Sequence, residues 1–124
     1  MQRSLQDIAR IGETFAAEHL KAQGYQILTQ NYRYKRGEID LIAKQEKRIV
    51  FVEVKTRRNI KYGLPQHAVT TQKQRQISKI ALAYLQSKNL LDTPCRFDVI
   101  AIYLSPQLEL VKLVQIESAF DYVH

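Results

Sequence analysis

A chain of 124 residues is the length of one ordinary domain, enough to bury a core without staples. Apolar residues at 45% and charged residues at 25% exclude a disordered tail, and the single cysteine, Cys95, excludes an intramolecular disulfide and a cysteine-based zinc site. Nineteen Lys and Arg against twelve Asp and Glu leave a net charge of +7, which favours a polyanionic partner. The N-terminus has no basic-then-apolar leader, and no apolar run reaches the ~18 residues of a membrane span. The expectation is a cytoplasmic protein without a membrane partner.

Residues 5–23 read as a helix, with Leu5, Ile8, Gly12, Phe15, Ala16, His19 and Leu20 recurring at three- and four-residue spacing as one apolar stripe. Ser4 is its expected N-cap and Gly24 its stop. Residues 25–32 turn extended. In 38–43, Ile39, Leu41 and Ala43 alternate with Glu38, Asp40 and Ile42, a strand period. The polar stretch 44–48 predicts a hairpin turn, and 49–56 is the most strongly β-forming run of the chain. Residues 57–66, basic and carrying Gly63 and Pro65, read as a mobile loop. A second helix over 69–88 places Ile77, Ile80, Ala81, Tyr84 and Leu85 on one face. Strands over 96–103 and 108–115 follow, separated by a turn at 105–107. The expected fold is one α/β domain over residues 1–124, in the order α-β-β-β-α-β-β, with helices flanking a mixed sheet. Cys95 is expected as a buried thiol near a strand.

The chemistry concentrates in strand 49–56. Val50, Val52 and Val54 point one way, while Phe51, Glu53 and Lys55 point the other. A carboxylate and an ammonium on one face of an otherwise apolar strand are costly without partners or a task. If the turn is centred between Glu46 and Lys47, Asp40 falls opposite Glu53. Two carboxylates on adjacent strands repel unless a cation lies between them, and an oxygen-ligated divalent ion such as Mg2+ suits that place. Glu13, on the flank of the first helix's stripe, is expected to project toward the same ion. Lys73, one turn before Ile77, is a candidate phosphate contact or a snorkelling side chain. The competing reading of Asp40, Glu53 and Lys55 is a structural ion pair across a hairpin.

The pattern Gly12-Glu13, Gly37-Glu38-Ile39-Asp40-Leu41-Ile42 and Phe51-Val52-Glu53-Val54-Lys55-Thr56-Arg57 resembles the PD-(D/E)xK nuclease superfamily. Within it the chain is similar to the YraN-like family of bacterial proteins, whose nearest relatives in form are archaeal Holliday-junction resolvases. The resemblance runs on through Ala68-Val69, Lys73 and Arg96-Phe97-Asp98-Val99, nearly the whole chain. The proline that names the superfamily is replaced by Ile39. The resemblance implies a restriction-endonuclease-like fold and a divalent-metal-dependent endonuclease that hydrolyses phosphodiester bonds in DNA, including branched or distorted DNA. Asp40 and Glu53 would bind Mg2+ or Mn2+, with the Val54 carbonyl and, directly or through water, Glu13. Lys55 would position the attacking water or stabilise charge on the phosphate. The alternatives are a nucleic-acid-binding module of the same fold that does not cut, and a protein-interaction domain whose charge serves only solubility.

Arg33, Lys35, Arg36, Arg57, Arg58 and Lys61 flank the expected site as candidate phosphate contacts, each weighed against an ordinary surface charge. Tyr32, Tyr34 and Tyr62 lie among them as candidate stacking platforms, Tyr32 more readily as packing. Glu38 is weighed as an accessory acid against an exposed strand start. His19 reads as a core histidine, His67 as a weak phosphate contact and Asp98 as a structural partner of Arg96. A homodimer is the expectation carried by the resolvase resemblance, with Leu108, Leu110, Leu113 and Val114 as its one apolar candidate surface.

Overall fold

A computed structural model describes residues 4–58 and 69–123. Lys61, Tyr62, His67, Ala68 and most of the expected loop lie outside the described residues. The elements run α1 (Leu5–Ala22), β1 (Gln26–Tyr34), β2 (Gly37–Gln45), β3 (Arg48–Arg57), α2 (Thr71–Ser87), β4 (Cys95–Leu104) and β5 (Leu110–Phe120). The sheet has the order β1-β2-β3-β4-β5. Pairing is antiparallel throughout except between β3 and β4, which α2 joins as a crossover and so makes parallel. This α/β arrangement of helices on a mixed sheet is consistent with a restriction-endonuclease-like fold.

Strand alternation divides the core in two. Val50, Val52 and Val54 join Ala16, Leu20 and Ile8 of α1 on one face. Phe51 joins Ile77, Ile80 and Tyr84 of α2 on the other, with Phe51 and Phe97 stacked at 5.5 Å between ring centroids. The apolar stripe of α1 begins at Ile8, because Leu5 in the first turn is 87% exposed. Ser4 caps α1 in a reciprocal box with Asp7, and Gly24 follows the helix at φ +91°, a conformation that disfavours a side chain. Gly12 sits so close to Thr56 that a Cβ there would overlap its side chain. That close approach seats α1 against the end of β3.

Two expectations need correcting. Cys95 opens β4 but is exposed, because the strand's first residue projects beyond the core. The alternation expected over 38–43 breaks at Asp40: Leu41 and Ala43 face α1, whereas Ile39 joins Ile42 on the α2 side. Of the C-terminal apolar residues, Leu108 and Leu113 pack against the α1-side core, while Leu110 is exposed on the edge strand. Among the described residues no helix is long and apolar enough to cross a membrane.

Candidate metal and nucleic-acid site

The turn at Glu46–Lys47 sets the register of β2 on β3, from Gln45↔Arg48 to Leu41↔Val52. The next pair in that register is Asp40 with Glu53, and there the ladder stops. Instead of a strand carbonyl, the Asp40 Oδ2 takes the Val54 N–H, at 2.7 Å. The carboxyl therefore lies in the gap between the strands, where it meets groups from both faces of the sheet. In a strand the N–H and C=O of one residue leave on the same side, so the Val54 carbonyl faces the same gap. The break has a counterpart on β1. Asn31 is next to Asp40 in the β1–β2 register and adopts φ +52°, a left-handed conformation that asparagine tolerates better than most residues.

Glu53 shares its face with Phe51 and is only 8% exposed, and among the described residues its Oε2 accepts no hydrogen bond. Among the described residues its ion pair is with Lys73, and the 3.9 Å separation is long. Lys73 reaches it from the first turn of α2, where the Thr70 hydroxyl caps the helix by accepting the Lys73 N–H. Lys55 projects from the same face of β3, half-buried, and makes no ion pair among the described residues. The partner of Glu53 is thus a helix lysine rather than the strand lysine two residues on.

Burial, followed by the adjoining Glu53 carboxyl, pushes Asp40 up to about 9, against the lowering effect of the Val54 N–H. Glu13 is also raised, first by burial and then by Asp40 and Glu38, while its hydrogen bond from Asn31 works the other way. Asn31 Nδ2 donates to Glu13 Oε1 at 2.9 Å and to Glu38 Oε1 at 2.8 Å. Arg33 closes the group with an ion pair to Glu38 at 3.2 Å. The structure therefore gathers Glu13, Glu38, Asp40 and Glu53 into one acidic region, with Glu38 half-buried rather than an exposed strand start. Among the described residues no three His, Cys, Asp or Glu side chains converge on one ion position.

Two contributors went unread in the sequence. Asn31 holds two acids through a left-handed residue inside a strand, and nothing in its neighbours announces that turn. Thr70 positions Lys73 as an N-cap, a signal present in the Thr70-Thr71 pair just ahead of the helical period. The basic residues are dispersed. Arg36 is exposed at the β1–β2 turn, and Lys35 beside it lies 5.4 Å from the Tyr34 ring centroid. Arg57 Nη1 donates to the Thr56 carbonyl, and Arg58 Nη2 to that of Pro106. Tyr32 packs edge-on against Tyr84 at 5.1 Å, as a packing residue.

The second buried acid is structural. Asp98 is fully buried and accepts two bonds from Arg96, at 2.8 and 2.9 Å, one from Gln115 and one from the Ser118 N–H. Arg96 also donates to the Tyr25 hydroxyl, and Gln115 contacts partly buried His19. Every oxygen of Asp98 is satisfied, in contrast to Glu53.

Residues 12–102 match a family model described as "Uncharacterised protein family UPF0102". A UPF0102 protein of Syntrophus aciditrophicus is 55% identical over 106 residues, spanning 83% of this chain and 84% of that protein. One from Geotalea daltonii is 48% identical over 117 residues, 94% of this chain and 91% of that protein. UPF0102 protein GSU0650 of Geobacter sulfurreducens is 50% identical over 114 residues, 91% and 88% of the two chains. Among solved structures, SfsA of Pyrococcus furiosus in complex with Ca2+ shares 13% identity at a TM-score of 0.36. That match covers 86% of this chain but only 59% of SfsA, a likeness too distant to carry an argument.

Proposed function

This chain belongs to the uncharacterised protein family UPF0102, and from its acidic centre we propose that it is a divalent-metal-dependent endonuclease that hydrolyses phosphodiester bonds in DNA. The observation that carries the reading is the pairing of Asp40 with Glu53: two adjoining carboxyls, one in a gap between strands and one with a buried oxygen that accepts no hydrogen bond among the described residues. Such an arrangement is unfavourable in a merely structural pair and suits a divalent cation.

Asp40 and Glu53 would hold Mg2+ or Mn2+ together with the Val54 carbonyl, with water completing the oxygen shell that Mg2+ prefers. Glu13, held by Asn31, would meet that shell through water. A cation so held supplies polarisation of a phosphate and a lowered pKa for water. Lys55, a compact charge on the same strand face as Glu53, would orient the attacking water and offset charge on the phosphate. Lys73 would turn from Glu53 to a phosphate oxygen once Glu53 has a stronger partner. Arg33, Lys35, Arg36, Arg57, Arg58 and Lys61 would contact the backbone and fix the strand's position without reading sequence.

The test is cleavage of labelled four-way-junction, flap, single-stranded and plain duplex DNA with Mg2+ or Mn2+, comparing wild type with Asp40→Ala and Lys55→Ala. Cutting by wild type that falls at least about a hundredfold in both variants is the expected result. Cutting that persists in both sinks the assignment of the site. Salt-sensitive binding without any cutting would convert the reading to a binding module of the same fold.

A further inference from the structure

A groove of about 550 Å3 lies beside the acidic centre, between the β1–β2 turn and the outer face of α2. This volume is typical of a small-ligand cleft, for which roughly 300–1,000 Å3 is usual. Its floor and walls are mainly apolar. Tyr34 on the hairpin is 38% exposed and Leu82 on the helix 40% exposed, two large apolar side chains left to solvent in the same depression. Leu82 belongs to no core cluster and falls outside the buried stripe of α2. The rim carries Lys35, Arg36 and Lys79, and among the described residues no acid lines it.

The hairpin is held in this position by close packing. Gly37 lies against Ile80 and Gln76, so near that a Cβ would press on both side chains. Gln76 also lines a second, shallower depression with Thr70 and Lys73, and Lys73 is the residue paired with Glu53. The groove and the acidic centre are therefore joined along one side of α2. Three residues of β2 separate Gly37 from Asp40, roughly 10 Å at strand rise. Ten residues of α2 separate Lys73 from Ala83, roughly 15 Å at helix rise.

A mainly apolar slot whose charged lining residues are all cations is complementary to a nucleotide, whose base has an apolar face and whose phosphates are anionic. We propose that this groove receives an unpaired base of a DNA strand whose backbone continues past Gln76 to the Asp40–Glu53 centre. The proposal rests on the nuclease reading above and adds the substrate class: DNA carrying an unpaired nucleotide a few nucleotides or fewer from the scissile phosphate. A paired base in an intact duplex has both faces stacked and cannot enter. Tyr34 and Leu82 are then specificity-determining residues, and Lys35, Arg36 and Lys79 bind the flanking phosphates.

The experiment measures binding apart from cleavage. Duplexes with a one-nucleotide bulge, carrying either 2-aminopurine or an abasic site at the bulge, are titrated with wild type, Tyr34→Ala and Leu82→Gln in EDTA. Anisotropy gives the affinity and 2-aminopurine fluorescence reports the environment of the base. Thermal melting checks that both variants fold. Wild type is expected to bind the base-bearing bulge about tenfold more tightly than the abasic one, with a change in base fluorescence, and both variants to lose most of that preference. Equal affinity for the two bulges, or a preference that survives both substitutions, overturns the proposal. Cutting with Mg2+ is scored separately on the same DNAs. Cutting without a base preference overturns the groove and leaves the nuclease reading standing, whereas a base preference without cutting supports the groove and sinks hydrolysis.

Discussion

At Asp40, burial and the neighbouring Glu53 carboxyl both favour the neutral acid, raising it from 3.8 to about 9. The sign of the consequence follows from linkage. The folded protein keeps a proton that the unfolded chain has released, so this residue's contribution to stability falls as pH rises from about 4 to about 9 and is flat above. A divalent cation favours the charged form and should reverse the loss, so Mg2+ is expected to raise Tm more at pH 8 than at pH 5. Asp40→Asn should stabilise the metal-free protein at pH 8 by on the order of 1 kcal/mol, roughly 4 °C in Tm, and abolish the Mg2+ effect. Thermal melts from pH 5 to 9 in EDTA and in Mg2+ check this; an Mg2+ effect undiminished in Asp40→Asn would remove Asp40 from the ion's ligands. Asp98 is buried too, but its removal should act oppositely. Asp98→Ala leaves the Arg96 guanidinium, 9% exposed, with Glu117 and Tyr25 as partners, takes the acceptor from Gln115 and the Ser118 N–H, and should cost about 3 kcal/mol in chemical denaturation at any Mg2+ concentration.

Among the elements, the contact of α1 with β3 is the most sensitive to side-chain size. Gly12→Ala places a methyl group on the β-branched Thr56, so that helix or side chain must shift, and should cost about 1–3 kcal/mol as overpacking. Since Glu13 is the next residue, the same change should displace it from Asn31 and weaken Mg2+ binding. Gly24→Ala is the control: it has open space but φ +91°, so it should lose stability through backbone strain alone and leave Mg2+ affinity unchanged. Urea melts and Mg2+ titrations of the two variants separate these effects. The helices and strand 49–56 were legible in the sequence because their periods are local, 3.6 and 2 residues, and hydrophobic residues keep to them. The opposition of Asp40 and Glu53 was legible as one register for a turn at Glu46–Lys47, with a slip of one residue left open until the Gln45↔Arg48 pairing fixed the turn. The break at Asp40 was not. It arises from a left-handed Asn31 on one side and an N–H taken by a carboxylate on the other, and neither disturbs the apolar pattern. The Glu53–Lys73 pair was also hidden, since it depends on where the crossover sets down the first turn of α2.

Over the whole molecule the net charge of +7 matters through its distribution. Glu13, Glu38, Asp40 and Glu53 collect at one centre, which without a cation would repel a phosphate, while the lining of the adjoining groove carries Lys35, Arg36 and Lys79. Two of the basic residues near the centre, Arg33 and Lys73, are engaged by acids of the protein itself. Binding to DNA in EDTA should therefore draw on the groove's rim together with Arg57, Arg58 and Lys61, and addition of Mg2+ should strengthen it by neutralising the centre and freeing Lys73. Each phosphate neutralised on B-form DNA contributes a slope of about −0.9 to log K against log salt. Contacts by the three rim cations alone contribute about −3 to that slope in EDTA, and Mg2+ should add about one phosphate more. The paired substitution of Lys35 and Arg36 by Ala should flatten the slope by about 2, uniformly across DNA sequences. Anisotropy titrations over a range of salt, with total divalent concentration held constant, decide the matter. A slope that the double variant leaves unchanged would mean that the DNA approaches over some other surface, and the path along α2 from groove to acidic centre would have to be abandoned.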